Sequence, residues 1–299
     1  MTRAGTPTQV SSIGPSTCGP MPSAFLPKIH LPPCEGQLMI TTSPLPTPDT
    51  PRRTGLNRSV AMQLARTEYQ RTAEALASLE PDDWSRRTAC PAWNVRQLAC
   101  HMVGMATMAS TPWESSRQQK LATAEARTHG GAVIDSLTAL QVRERENLTP
   151  DEVVEAARRI APRAARGRRL TPGLIRRRAL PDAQVVNGEK EMWTIGYLID
   201  VVLTRDPWMH RIDMSRATGR QLLVTADHDG VIVDDVVREW AERHGGPYRL
   251  ELTGPAGGNW ASVEQPAGTV EISMDAVEFC LILSGRGTGD GLLTTQVPF

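Results

Sequence analysis

The sequence of 299 residues predicts an α+β fold, with a bundle of helices in front and a small sheet-and-helix module behind, changing over near residue 220. Three observations carry that prediction. Between residues 58 and 217, several segments space their apolar residues at three and four, the helical period. After Gly219, short β-prone runs bounded by glycine and proline clusters take over. The first fifty-odd residues follow neither rule.

Residues 1–54 hold eleven of the 23 prolines, mixed with Thr, Ser and Gly. Such a composition cannot bury enough apolar surface to offset its ordering entropy. A disordered tail is expected there, or sequence upstream of an internal start such as Met62. Residues 55–220 are then the bundle and 221–299 the small α+β domain.

The first helix is expected over 58–80, where Val60, Leu64, Tyr69, Ala73 and Leu76 share a face; Pro81-Asp82-Asp83-Trp84 breaks it. The second begins at Asn94, a good cap, with Gln97 three residues on as in a capping box, and runs through His101 to about Ser110. A polar linker follows. Helices come next near 131–147 and 150–166, the latter announced by Thr149-Pro150-Asp151-Glu152. A long helix runs from Trp193 to about Ala217. Pro207 inside it predicts a kink, or a fresh start just before Trp208, with Asp206 near the new N-terminus. Beyond Gly219, a helix over 229–243 precedes strands at Tyr248–Thr253, Asn259–Ser262 and Thr269–Ser273. A last helix, 275–284, stops at Gly285.

Composition bounds the function. Thirty-three basic residues balance thirty-three acidic ones, which argues against general attraction to nucleic acid or anionic lipid. No run of about twenty apolar residues exists to span a membrane, and without a basic start followed by an apolar stretch no secretion signal is expected. The five cysteines are scattered without a CxxC pair, so a reduced cytoplasm is the expected compartment.

Two separated segments carry candidate chemistry: Trp93–His101 and Arg205–Asp213. Each reads as helix with an interior histidine. Asp206 and His210 stand four apart, so both point from one helical face. His101 from a neighbouring helix would complete a set of two histidines and one carboxylate, which leaves room on a metal for an outside ligand.

The stretch from Thr88 to Gly104 resembles the start of the second helix in DinB-like up-and-down four-helix bundles and, more narrowly, in the mycothiol-dependent maleylpyruvate isomerase family. The block from Arg205 to Gly219 is similar to that family's second metal segment. Gly254–Trp260, Asp275–Arg286 and Gly291–Phe299 resemble its small C-terminal domain. The resemblance implies a divalent metal, zinc by preference, held by His101, Asp206 and His210. It also implies mycothiol as thiol cosubstrate and a small electrophile such as maleylpyruvate as substrate. The activity would be a mycothiol-dependent isomerase or a thiol S-transferase, in a monomer or homodimer without nucleic-acid or membrane partners. A non-catalytic metal-binding or ligand-sensing protein on the same bundle is the rival reading, and a member that binds no metal a third.

One departure matters. Asp206 stands where the isomerase branch has glutamate, so either the backbone moves inward or the carboxylate binds through water. Asp213 is then a substitute ligand or, preferably, an acceptor that orients an imidazole. Other residues are expected to be ordinary: Trp93, Trp193 and Trp208 as core, Cys100 as a buried thiol, Cys90 as a loop residue. His129, His228 and His244 are expected to be solvated, as are the nine arginines from Arg158 to Arg178. Arg286 either caps the last helix or reaches back to an anionic ligand.

Overall fold

The computed structural model describes Leu38–Met39 and residues 50–299, so most of the expected N-terminal tail lies outside the described residues. Leu38–Met39 forms a short strand, β1. The backbone of Arg52 already pairs with that of Trp193, so described structure begins before residue 55.

Helix α1 (Arg58–Ala77) starts at Asn57, whose side chain accepts from the Ser59 amide. Its buried residues, from Ala61 and Leu64 to Ala73 and Leu76, step at three and four as the sequence implies. Helix α2 (Val95–Ser110) opens with the reciprocal capping box of Asn94 and Gln97. Two helices then form an insert, α3 (Pro112–His129) and α4 (Val133–Arg143), where a linker was expected before the second of them. The reason is visible in α3: its buried residues are Gln118, Ala122 and Ala126, so no apolar stripe marks it. Helix α5 (Pro150–Leu170) begins with the Thr149–Glu152 capping box, and a short turn, α6 (Gly173–Arg176), follows.

Strands β2 (Gln184–Val186) and β3 (Glu189–Glu191) form an antiparallel hairpin that was not among the expected elements. Asn187 and Gly188 turn it with φ of 52° and 80°, the left-handed pair a two-residue hairpin needs. The next long helix arrives in three pieces: α7 (Ile195–Tyr197), a π-helical turn (Leu198–Val202) and α8 (Leu203–Thr218). The distortion thus precedes Pro207 rather than falling at it. Pro207 cannot donate to the carbonyl of Leu203, and that oxygen accepts instead from Arg168 Nη1 at 2.9 Å. Arg168 is therefore buried, as is Arg176 on Asp200; the other seven arginines of their run are exposed as expected.

Helices α1, α2, α5 and α8 make the four-helix bundle, with α5 and α8 each packed on both α1 and α2. The sheet module follows: α9 (Val231–His244), β4 (Tyr248–Thr253), β5 (Gly258–Ala261), β6 (Val270–Asp275) and α10 (Ala276–Leu283). The sheet order is β1-β5-β4-β6, with β4 antiparallel to β5 and parallel to β6, Leu250 facing Ile272. Bundle and module share a core: Leu64, Trp208, Met209 and Ile212 pack with Ile232, Val236, Trp240, Leu250 and Phe279. No helix among the described residues is long and apolar enough to cross a membrane.

Ion pairs reinforce that junction. Buried Arg205 donates to Asp235 at 2.6 Å and to Glu239 at 2.7 Å, and the Tyr197 hydroxyl donates to Glu239 at 2.6 Å. Burial pushes the Glu239 carboxyl up, but Arg205, Arg243 and Arg52 override it and hold it at about 2. A depressed carboxyl stabilises the fold fully above its unfolded value near 4.5 and loses that contribution as pH falls towards 2. Urea midpoints are therefore expected to drop between pH 5 and pH 3, and to drop less in Glu239→Gln.

Candidate metal centre

His101 lies in the second turn of α2, while Asp206 and His210 sit one turn apart on α8. The fold brings all three together, with one possible donor atom of each within 4.8 Å of the others. Asp206 Oδ2 is 3.6 Å from His101 Nε2, and Asp206 Oδ1 is 3.5 Å from His210 Nε2. Both separations are long for hydrogen bonds. They are close to the edge of a tetrahedron of ligands about 2.1 Å from a common ion, which is about 3.4 Å. Asp206 Oδ2 is also buried without a hydrogen-bond partner, an arrangement that native proteins rarely leave unexplained. Two imidazole nitrogens and a carboxylate oxygen form a donor set suited to zinc and similar divalent ions. The residues fit such an ion, and the short arm of Asp206 still brings its oxygens to both rings.

Each imidazole is held from behind. His210 Nδ1 meets Asp213 Oδ2 at 3.0 Å, and His101 Nδ1 meets Gln141 Oε1 at 2.9 Å. The rings lie 5.2 Å apart at 90°. Asp213 is fully buried and accepts from Arg286 Nε and Nη2, each at 2.9 Å. It therefore serves as the acceptor that orients His210. Arg286 does both: its backbone amide closes the last helix on the Leu281 carbonyl at 2.9 Å, and its side chain reaches back to this acid. Gln141 had no signal in the sequence beyond a glutamine on a helix.

Gly104, one turn after His101, explains how Gln141 gets so close. A Cβ there would lie 2.5 Å from Gln141 Cβ and 2.8 Å from its Cγ. Alanine has the better helix propensity by about 1 kcal/mol, yet Gly104→Ala should destabilise the protein because α4 must move away. We expect a lower melting temperature together with weaker metal uptake; a stabilised variant would refute this.

Electrostatics follow from the crowding of charge. Burial pushes the Asp206 carboxyl up, but the His210 charge and the contacts with His101 and His210 outweigh it and hold it far below the usual range. Burial likewise lowers His210, and Asp206 and Asp213 reverse that, raising it to about 9. Half-buried Cys90 lies beside Asp213 and His210, with its Sγ 4.0 Å from Arg286 Nη2. Burial first, then Asp213, push its thiol up, so it stays protonated at neutral pH. Half-buried Trp93 covers the rings, 4.9 Å from His101 and 6.3 Å from His210. The Asp206 side chain keeps 20% of its surface exposed, so solvent reaches the cluster.

The remaining expectations divide. Cys100 is buried as expected, its thiol directed at the Arg145 carbonyl. Trp193 and Trp208 are core residues held by Glu191 and Asp229, and Trp93 makes the ring contacts with the two histidines. His129 is exposed. His228 is not solvated: it is 3% exposed and its Nε2 meets Glu68 at 2.8 Å. His244 is half-buried against Trp240, with ring centroids 4.2 Å apart.

Comparison with known proteins adds to this geometry. A family model described as the mycothiol maleylpyruvate isomerase N-terminal domain matches residues 65–215, a span that includes His101, Asp206 and His210. Two solved structures, of the mycothiol-dependent maleylpyruvate isomerase and of its histidine-to-alanine mutant, are similar to this chain at 14% identity. Each match covers 78% of this chain and 91% of the other, with a TM-score of 0.49. No curated protein matches.

Proposed function

Because the chain belongs to the mycothiol maleylpyruvate isomerase family through its N-terminal domain, we propose that it is a divalent-metal-dependent enzyme activating a low-molecular-weight thiol. Mycothiol is the thiol the family suggests, and the substrate is a small electrophile: a cis-dienoate such as maleylpyruvate to be isomerised, or an acceptor to which the thiol is transferred. The observation that carries this reading is the convergence of His101, Asp206 and His210 around the unpartnered oxygen of Asp206.

His101 and His210 would hold the ion through Nε2 and Asp206 through a carboxylate oxygen. A divalent ion, zinc by preference, supplies Lewis acidity that keeps a thiol ionised at neutral pH, where a free thiol is only a few per cent thiolate. The chain's own residues set the conditions. Asp206 would contribute a negative charge that offsets part of the ion's charge. Asp213, neutralised by Arg286, orients His210 without adding net charge. Trp93 shields one side of the rings from water.

The sensing alternative expects Asp213 as a fourth protein ligand, and the engagement of that acid by His210 and Arg286 supports the enzyme instead. The test is direct. Purified protein should contain about one equivalent of divalent metal, and loaded protein should isomerise a cis-dienoate or consume mycothiol against a panel of electrophiles. Metal-free protein that cannot be loaded refutes the proposal. Full loading with no thiol-dependent turnover across the panel refutes its catalytic half.

A further inference from the structure

We propose that two buried glutamines, Gln118 and Gln141, form a one-way hydrogen-bond relay that sets which nitrogen of His101 carries its proton. They are positioning residues supplied by the α3–α4 insert, which lies outside the four bundle helices. Their bearing on metal binding rests on the metal-centre reading above; the relay itself does not.

The direction is fixed at its far end. Gln118 Nε2 faces the carbonyl of Gly104 at 3.2 Å and Glu114 Oε1 at 3.0 Å. A carbonyl and a carboxylate can only accept, so the nitrogen of Gln118 must point at them. Glu114 remains a pure acceptor across the working pH range. Its hydrogen bonds with Arg117 outweigh its partial burial and hold it at about 2. With its nitrogen committed, Gln118 presents Oε1 to Gln141 and accepts from Gln141 Nε2 at 2.9 Å. Gln141 therefore turns Oε1 to His101 Nδ1, at 2.9 Å. An amide oxygen can only accept, so Nδ1 carries the hydrogen. In the neutral ring, Nε2 then keeps its lone pair, aimed at Asp206.

Reversing both amides would set the Gln118 oxygen against two acceptors, at 3.2 and 3.0 Å, in a buried site where unmatched groups are costly. Gln118 and Gln141 are 0% and 1% exposed, so water does not rescue the wrong orientation. The two histidines thus reach the same end differently. His210 is oriented by a carboxylate in one step; His101 is oriented by a neutral amide whose direction is dictated by Glu114, three hydrogen bonds from the ring. A neutral acceptor avoids a third negative group beside Asp206 and Asp213.

The experiment is nitrogen-15 NMR of metal-free, histidine-labelled protein in alkaline buffer, with His101→Gln assigning the signal, followed by zinc competition titrations. Wild type should show one tautomer at His101, with hydrogen on Nδ1. In Gln141→Leu a tautomer mixture should appear and zinc affinity should fall about 10- to 100-fold. Gln118→Leu should loosen the tautomer while leaving Gln141 present. Hydrogen on Nε2 in wild type overturns the proposal. So does a Gln141→Leu protein that melts earlier but keeps wild-type tautomer and affinity, since that marks a purely structural role. If wild type takes up no zinc, the metal-centre reading fails, while the tautomer measurement still decides the relay.

Discussion

Alanine at His210 is expected to abolish stoichiometric zinc uptake and to reduce thiol-dependent turnover by about a thousandfold or more. Three protein ligands are the usual minimum at a catalytic zinc, and losing one removes both the ion and the thiolate it stabilises. His101→Ala should behave alike, since His101 on α2 and His210 on neighbouring α8 face Asp206 at 3.6 and 3.5 Å. Asp206→Asn keeps the shape and removes the charge, so it should retain weakened uptake. His129→Ala, on an exposed histidine, is the control and should be silent. Metal analysis after dialysis reads all four. Wild-type metal content in both ligand-position alanine variants would sink the site.

The second large effect concerns stability. Arg211 donates to both oxygens of Glu68, at 2.7 and 3.1 Å, and to Asp229 at 3.2 Å, in a pocket where all three are buried. His228 and Arg71 complete the cluster on Glu68 and Asp229. It joins α1, α8 and the turn before α9. Arg211→Met should cost about 3–5 kcal/mol, because it strands two buried carboxylates rather than merely deleting a contact. Burial pushes the Glu68 carboxyl up, but Arg211 and His228 reverse this and lower it. Its contribution is therefore full above the unfolded value near 4.5 and is lost as pH falls below that. In Arg211→Met burial is opposed by less, so the acid loss should begin at higher pH. Urea denaturation across pH 7 to 4 measures both effects. A change under about 1 kcal/mol at pH 7 would show that the cluster does not hold the junction.

What could be read from sequence shares one property: it depends on contacts within about one helical turn. The caps at Asn94 and Thr149 are hydrogen bonds spanning three residues. The pairing of Asp206 with His210 on one face follows from helical pitch alone. The stop at Gly285, with φ of 79°, needs only a residue that tolerates the left-handed region. The Asn187–Gly188 turn carries a signal of the same local kind, two residues that tolerate the left-handed region. Helix α3 carried none, because its buried face is glutamine and alanine. The resemblance of three motifs in order then pointed to His101 as the distant third donor.

Everything that makes the cluster a site was decided by packing between distant segments. Nothing near His228 in sequence announces Glu68, 160 residues away, so the sequence marks a buried contact as a solvated loop residue. Gln141 reaches His101 because Gly104 lets two helices nearly touch, and Arg286 reaches Asp213 because the C-terminal module folds back on the bundle. The physical reason is one of range. Local conformation is governed by short-range sterics and backbone hydrogen bonds that a few residues encode. The identity of a buried polar group's partner is settled only when close packing has removed water and left it one place to turn.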